Sequence, residues 1–289
     1  MTASLTDRPC TVLIDIGNTR LKIGWLDTVT GQRESAAMAL DPQRADALIP
    51  WFAQENVYPV HAVGVNVAGA GKAMLVEQLF KRRFNVTIQW QTSRDVTGRV
   101  RNRYRDPGQL GADRWAAMIG LSAIRPAAAT PMLLANFGTA TTLDTLCPVS
   151  LDATPEAGDP DNAAVDWIYP GGLIFPGPEL MRASLARNTA QLPQADGSPA
   201  LFPTDTHTAI VTGIAAAQAG AVLRQWQAGL QRYGIAPRVF STGGGWPAVQ
   251  QEVQAQLARA QRQYGLAEQP VEYLPAPILD GLALMAAGQ

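Results

Sequence analysis

Charge is scarce in this 289-residue chain: 16% of its residues are Asp, Glu, Lys or Arg, and 23 basic residues against 24 acidic ones leave a formal net charge of -1. An extended nucleic-acid surface leaves a basic footprint, so none is expected. Hydrophobic residues reach 47%, which excludes a chain too polar to build a core. The two cysteines, Cys10 and Cys147, share no C-x-x-C spacing. No disulfide framework or cysteine zinc site is expected, and a reducing compartment fits. The two histidines, His61 and His207, have no ligand spacing, and no G-x-S-x-G elbow accompanies them. A Ser-His-Asp hydrolase is therefore unsupported. The opening MTASLTDRPC has no apolar h-region. No apolar run approaches the roughly 18 residues of a membrane span. The expected location is the cytoplasm, with neither membrane nor nucleic acid as a partner. The length suggests about two domains.

What the chain does have is an interrupted strand pair. In VLIDIGNTRLKIGW, residues 12–25, an apolar run meets Asp15, breaks at Gly17-Asn18-Thr19 and resumes alternating through Leu21, Ile23 and Trp25. Gly-Asn between alternating runs is a hairpin signal, because both residues tolerate positive φ. A phosphate chain needs clustered donors that approach closely. Gly17 admits backbone N–H groups, and the side chains of Asn18 and Thr19 add further hydrogen bonds. Asp15 would repel a phosphate but can hold Mg²⁺ through water. The plain alternative is a hairpin whose first strand ends in Asp. A second turn, Gly138-Thr139-Ala140-Thr141-Thr142, is rich in hydroxyls. LIDIGNT, 13–19, aligns with LANFGTA, 134–140, so that Asp15 falls on Asn136 and Gly17 on Gly138. This echo predicts two like α/β domains, 1–125 and 126–289, each offering a polar turn to a shared cleft.

Other stretches carry weaker signals. STGGGW, 241–246, reads as a Gly-rich strand-to-helix turn that either cradles phosphate or is only tight. It lacks the Lys-Ser/Thr of a Walker A loop. Arg99, Arg101, Arg103, Arg105 and Arg114 concentrate in 99–115 with the lone Tyr104. They read as a solvated basic edge, a nucleic-acid patch or an anion site for a small acidic ligand. Asp113 follows a Gly-Gln-Leu-Gly turn and opens the helix expected at 111–124. It is either a proton acceptor for a substrate hydroxyl or a helix-start Asp favoured by the dipole. Residues 150–166 carry five acidic side chains and read as an exposed loop.

The set DIGNT (15–19), GADR (111–114), FGTATTLD (137–144) and GGLIFPG (171–177) followed by TAQLP (189–193) resembles type III pantothenate kinase, the Bvg accessory factor family. The motifs keep family order from about residue 11 onward. The resemblance implies two ribonuclease H-like domains of the actin-like ATPase type around a nucleotide cleft. It implies ATP-dependent phosphorylation of pantothenate, the first step of coenzyme A synthesis. Asp15, Ile16, Gly17, Asn18, Thr19, Arg20, Leu21 and Lys22 would form the first phosphate loop, with Asp15 near Mg²⁺ and Thr139 touching ATP. Gly111, Ala112, Asp113 and Arg114 would line the pantothenate site with Tyr104, Asp113 being the general base. Thr189 would reach pantothenate across a homodimer interface. Family members also use a monovalent cation, K⁺ or NH₄⁺, held partly by an Asp where this chain has Asn136. One neutral carbonyl oxygen implies a weaker or rearranged cation site. Two other functions share these motifs: a non-catalytic nucleotide-binding regulator of gene expression, and a superfamily kinase or phosphohydrolase for another small molecule.

Overall fold

A computed structural model describes residues 8–126, 128–152, 165–189 and 192–288. The chain divides into two compact units, Met1–Arg125 with Ala276–Gln289, and Pro126–Pro275.

In the first unit, β1 (Arg8–Ile16), β2 (Leu21–Asp27), β3 (Met38–Leu40), β4 (Val57–Asn66) and β5 (Ile88–Trp90) form one sheet in the order β3-β2-β1-β4-β5. β2 runs antiparallel to its two neighbours, while β1, β4 and β5 are parallel. β1 is buried from Cys10 to Ile16, so its alternating side chains feed two cores. Val12, Ile14 and Ile16 pack with Phe52 of α1 (Leu48–Gln54) and Phe80 of α2 (Ala70–Phe84). Leu13 packs with Ala116 of α3 (Ala112–Ser122) and with Leu279 and Leu282 of α7 (Pro277–Ala286). The stretch 93–110, read from sequence as a loop, contains a small antiparallel hairpin, β6 (Val96–Thr97) and β7 (Val100–Asn102). Its strands are too short to show a period.

In the second unit, β8 (Met132–Phe137), β9 (Ala140–Pro148), β10 (Trp167–Pro176), β11 (Arg238–Thr242) and β12 (Glu272–Tyr273) run in the order β10-β9-β8-β11-β12. β9 is antiparallel to both neighbours, and β8, β11 and β12 are parallel. This repeats the order and directions of the first sheet, so the short sequence echo marks a repeated architecture. Leu133, Ala135 and Phe137 pack with Ala219, Val222 and Trp226 of α5 (Thr206–Tyr233) and with Val249, Val253 and Leu257 of α6 (Trp246–Gln263). α4 (Pro178–Asn188) follows β10 directly. At 28 residues, with a hydropathy of 1.2 over its best window, α5 is long and apolar enough to cross a membrane. The expectation that no stretch would reach that mark is thus corrected. The stripe Ile210, Ile214, Gln218, Val222 and Trp226 is buried within this unit, and its i, i+4 spacing is that of a helix packed along one face.

Two further expectations change. The segment from Ala276 onward, assigned from sequence to the second domain, belongs to the first unit, because α7 packs on α3 and β1. Asp152, placed in an exposed loop, is buried, with its carboxylate 3.7 Å from Arg232. Residues 153–164 of that acidic stretch lie outside the described residues. Cys10 and Cys147 are both buried, and burial pushes their thiols up to about 12 and about 11.

The α3–α7 contact is close because two glycines meet. A Cβ on Gly281 would lie 1.8 Å from the carbonyl oxygen of Ala116. Gly281→Ala should force the helices apart and destabilise the protein by about 1–3 kcal/mol, read from the urea midpoint. An unchanged midpoint would show that the two helices separate at no cost.

Candidate active site

The first turn is wider than the Gly-Asn signal implied. Ile16 pairs with Leu21, which leaves the four-residue loop Gly17-Asn18-Thr19-Arg20, closed by a hydrogen bond from the Gly17 N–H to the Arg20 carbonyl at 3.0 Å. Neither Gly17 nor Asn18 has positive φ, since a loop of this length needs no primed turn. A Cβ on Gly17 would still crowd the Arg20 carbonyl at 3.3 Å. The Lys72 ammonium donates to the Asn18 carbonyl and ties the loop to α2. Asn18, Thr19 and Arg20 are exposed and Lys22 half-buried. Ile16 and Leu21 are wholly buried, so their side chains are closed to any ligand.

Asp15 sits two residues before this turn, opposite Lys22 on β2 and beside Val65 on β4. It is 8% exposed. Its pKa is raised from 3.8 to about 7, first by desolvation and then by the negative charge of Asp113, with Lys22 opposing both. The structure therefore couples Asp15 and Asp113, which lie 98 positions apart in the chain by their numbers. Two carboxylates that disfavour each other's ionisation form a place that a cation would relieve. No cluster of three or more His, Cys, Asp or Glu exists among the described residues. Mg²⁺ needs only one or two carboxylates when waters and phosphates complete its shell, so Asp15 fits it.

Asp113 occupies the first turn of α3, whose N-cap is Gly111. A carboxylate there is favoured by the helix dipole. Its Oδ1 lies 2.8 Å from the Arg114 N–H, and a Cβ on Gly111 would come within 2.7 Å of the same oxygen, so only glycine leaves that carboxylate its place. Ala112, like Asp113, is partly exposed. Arg114 is buried, donates to the Tyr104 hydroxyl at 3.1 Å and lies 6.0 Å from the centre of that ring. Tyr104 is itself fixed by its N–H donating to Asn102 Oδ1 at 3.0 Å. The loop before α3 is held by Ser93, whose hydroxyl donates to Leu110 O at 2.8 Å, and Trp115 donates to Thr97 Oγ1 at 3.0 Å. The first unit thus gathers Asp15, Asp113, Arg114 and Tyr104 through direct or electrostatic contacts. Of the five arginines, Arg114 alone is buried; Arg99 and Arg105 are exposed.

The second turn is tighter. Phe137 pairs with Thr141, and the Gly138 N–H donates to Ala140 O at 3.1 Å. Two other segments close on it. The Gly177 N–H donates to Thr139 O at 3.0 Å, and a Cβ there would lie 2.1 Å from Gly138 O. The Gly245 N–H donates to Phe137 O at 2.8 Å, and Gly243, at φ +95°, would place a Cβ 2.5 Å from the same oxygen. The STGGGW stretch therefore serves the second turn through backbone approach that only glycine permits. Thr139 is exposed at the tip, and Asn136, half-exposed, carries an oxygen 2.7 Å from where a Gly243 Cβ would be. Thr189 ends α4, with its hydroxyl donating to Leu185 O at 2.7 Å. Ala190 and Gln191 of the TAQLP motif lie outside the described residues.

A sequence model of type III pantothenate kinase matches residues 11–150 and 163–228. The chain belongs to that family. A type III pantothenate kinase of Bordetella bronchiseptica is 48% identical over 278 residues, which is 96% of this chain and 97% of the relative. The relative of Bordetella petrii is 48% identical over 276 residues, and that of Leptothrix cholodnii 34% over 282, at 95% of each chain. Likeness to solved structures is far weaker: an exopolyphosphatase-like protein aligns over 96% of this chain and 97% of its own at 12% identity and a TM-score of 0.48. The family match breaks at 151–162, within the acidic stretch.

The sequence reading missed Gln218, and it did not bring Gly177 or Gly243 of its quoted motifs to the second turn. A polar residue inside an apolar helical stripe was the available signal for the first; close backbone approach has no one-dimensional signature. The Asp15 environment has a direct consequence for pH. Folding raises its pKa from 3.8 to about 7. The metal-free folded state therefore binds more protons than the unfolded chain between those values. Stability from this group falls as pH rises from about 4 to about 7 and is level above. Asp15→Asn should remove roughly 3 kcal/mol of the loss seen between pH 5 and pH 8, measured by urea unfolding in chelator. Equal pH slopes for variant and parent would mean that Asp15 ionises freely.

Proposed function

We propose that the chain transfers the γ-phosphoryl group of ATP to the primary hydroxyl of pantothenate, giving 4′-phosphopantothenate and ADP, the first step of coenzyme A synthesis. Family membership across both units supports the reaction. The observation that carries the local chemistry is the coupling of the strand-end carboxylate Asp15 to the helix-start carboxylate Asp113.

In this reading Asp113 accepts the hydroxyl proton as the new P–O bond forms and the bond to the β-phosphate breaks. Asp113 stands on a rigid helix start, held in place by Ser93, Trp115 and the glycine at 111. Arg114 orients Tyr104 over the acceptor site, which includes Gly111 and Ala112. The backbone of 16–22, with Asn18, Thr19, Arg20 and Lys22, binds phosphate in the first unit, and Gly138-Thr139 does so in the second. Asp15 would hold Mg²⁺ through water; when bound, the ion neutralises developing charge on the transferring group. Positioning and charge neutralisation carry most of the acceleration. Thr189 is assigned to pantothenate recognition within a cytoplasmic homodimer. Dependence on K⁺ or NH₄⁺ rests on resemblance alone. Asn136 supplies one neutral oxygen, which is a poor fit for a cation, and no step is routed through it.

Asp113→Asn keeps the shape and removes the base. It should retain wild-type circular dichroism and lose about 10²–10⁴-fold in turnover, followed as phosphopantothenate by mass spectrometry. Near-wild-type turnover would take proton transfer away from Asp113.

A further inference from the structure

The buried stripe of α5 reads Ile210, Ile214, Gln218, Val222, Trp226. Gln218 is the polar member, and it is fully buried. An amide is unfavourable in such a place unless its polar atoms are bonded. Both of its polar ends are. Oε1 accepts from the Thr141 hydroxyl at 2.7 Å, and Nε2 donates to Pro176 O at 2.9 Å, with Met181 Sδ at 3.2 Å. Thr141 is itself fully buried, one residue beyond the second turn on β9. Pro176 precedes Gly177, whose N–H bonds Thr139 O at 3.0 Å and whose Cα stands against Gly138 O. A single side chain therefore grips two of the segments that shape the turn, the strand leaving it and the strand end lying against it.

We propose that Gln218 is a positioning residue for the nucleotide: it sets the conformation of Gly138-Thr139-Ala140 from behind, without touching the ligand. The inference rests on the reading of this turn as an ATP phosphate site. A residue needed only to fill space would be as well served by Leu or Met, whereas the amide satisfies the buried Thr141 hydroxyl and also binds the Pro176 carbonyl. An added Cβ on Gly177 would lie 2.1 Å from Gly138 O, so the backbone after Pro176 rests directly on the turn, and loosening Pro176 would loosen that support.

The test is steady-state kinetics on four variants of the full chain, with ATP and pantothenate varied separately and unfolding midpoints measured alongside. Gln218→Met keeps length and loses both hydrogen bonds. Thr141→Val loses the hydroxyl, and Thr141→Ser retains it. Thr139→Val probes the turn directly. Gln218→Met and Thr141→Val should raise KM for ATP about 10- to 100-fold and leave KM for pantothenate nearly unchanged, with Thr141→Ser close to wild type. Lowered midpoints with an unmoved KM for ATP would overturn the proposal, since packing alone predicts that result. If Thr139→Val raises KM for ATP while Gln218→Met and Thr141→Val do not, the positioning role falls and the turn's role stands. If none of these variants moves it, the turn is not an ATP site and the proposal falls with it. Should Gln218→Met fail to fold, the Thr141→Val and Thr141→Ser pair decides on the same criterion.

Discussion

A carboxylate at the end of a central strand, buried and facing a second carboxylate, is the constraint around which the first unit is arranged. Asp15 has little solvent to stabilise its charge, and Asp113 makes ionisation harder still. Such a pair is costly in an empty protein and useful in one that receives a cation and a polyanion. The surroundings keep the pair in place. β1 is fixed by cores on both faces, and α3 is fixed by α7 on one side and by the 93–110 segment on the other. The acidic site is therefore rigid, as a phosphoryl-transfer geometry demands.

The second unit reuses the same sheet for a different local chemistry. Where the first has Asp15, the second has Asn136; where the first has a four-residue loop with an exposed Arg20, the second has a short turn clasped by Gly177, Gly243 and Gly245. The repeat thus supplies one turn tied to acid chemistry and one built from close backbone approach.

The sheet strands and long helices were legible because their periods are long and their ends are punctuated by Gly and Pro, as at Gly177-Pro178 and Gly234. The repeat was legible in seven residues, since the strand–Gly–polar turn carries its own chemistry. Asp113 was readable as a helix-start carboxylate, but its coupling to Asp15 depends on how β1 and α3 pack, which no local pattern encodes. The short hairpin at 96–102 and the return of α7 to the first unit were hidden for the same reason. The Gly-Asn dipeptide misled on turn type, because loop length, set by the pairing of Ile16 with Leu21, decides whether positive φ is needed.

That return of α7 makes the second unit an insertion within the first. During synthesis the ribosome must extrude all of 126–275 before the helix that closes over Leu13 and Ala116 exists. The helix bearing Asp113 therefore waits with one apolar flank uncovered while the later unit is already free to condense. The emerging chain in this interval is the form that a holding chaperone would meet, and the acidic pair acquires its final surroundings last.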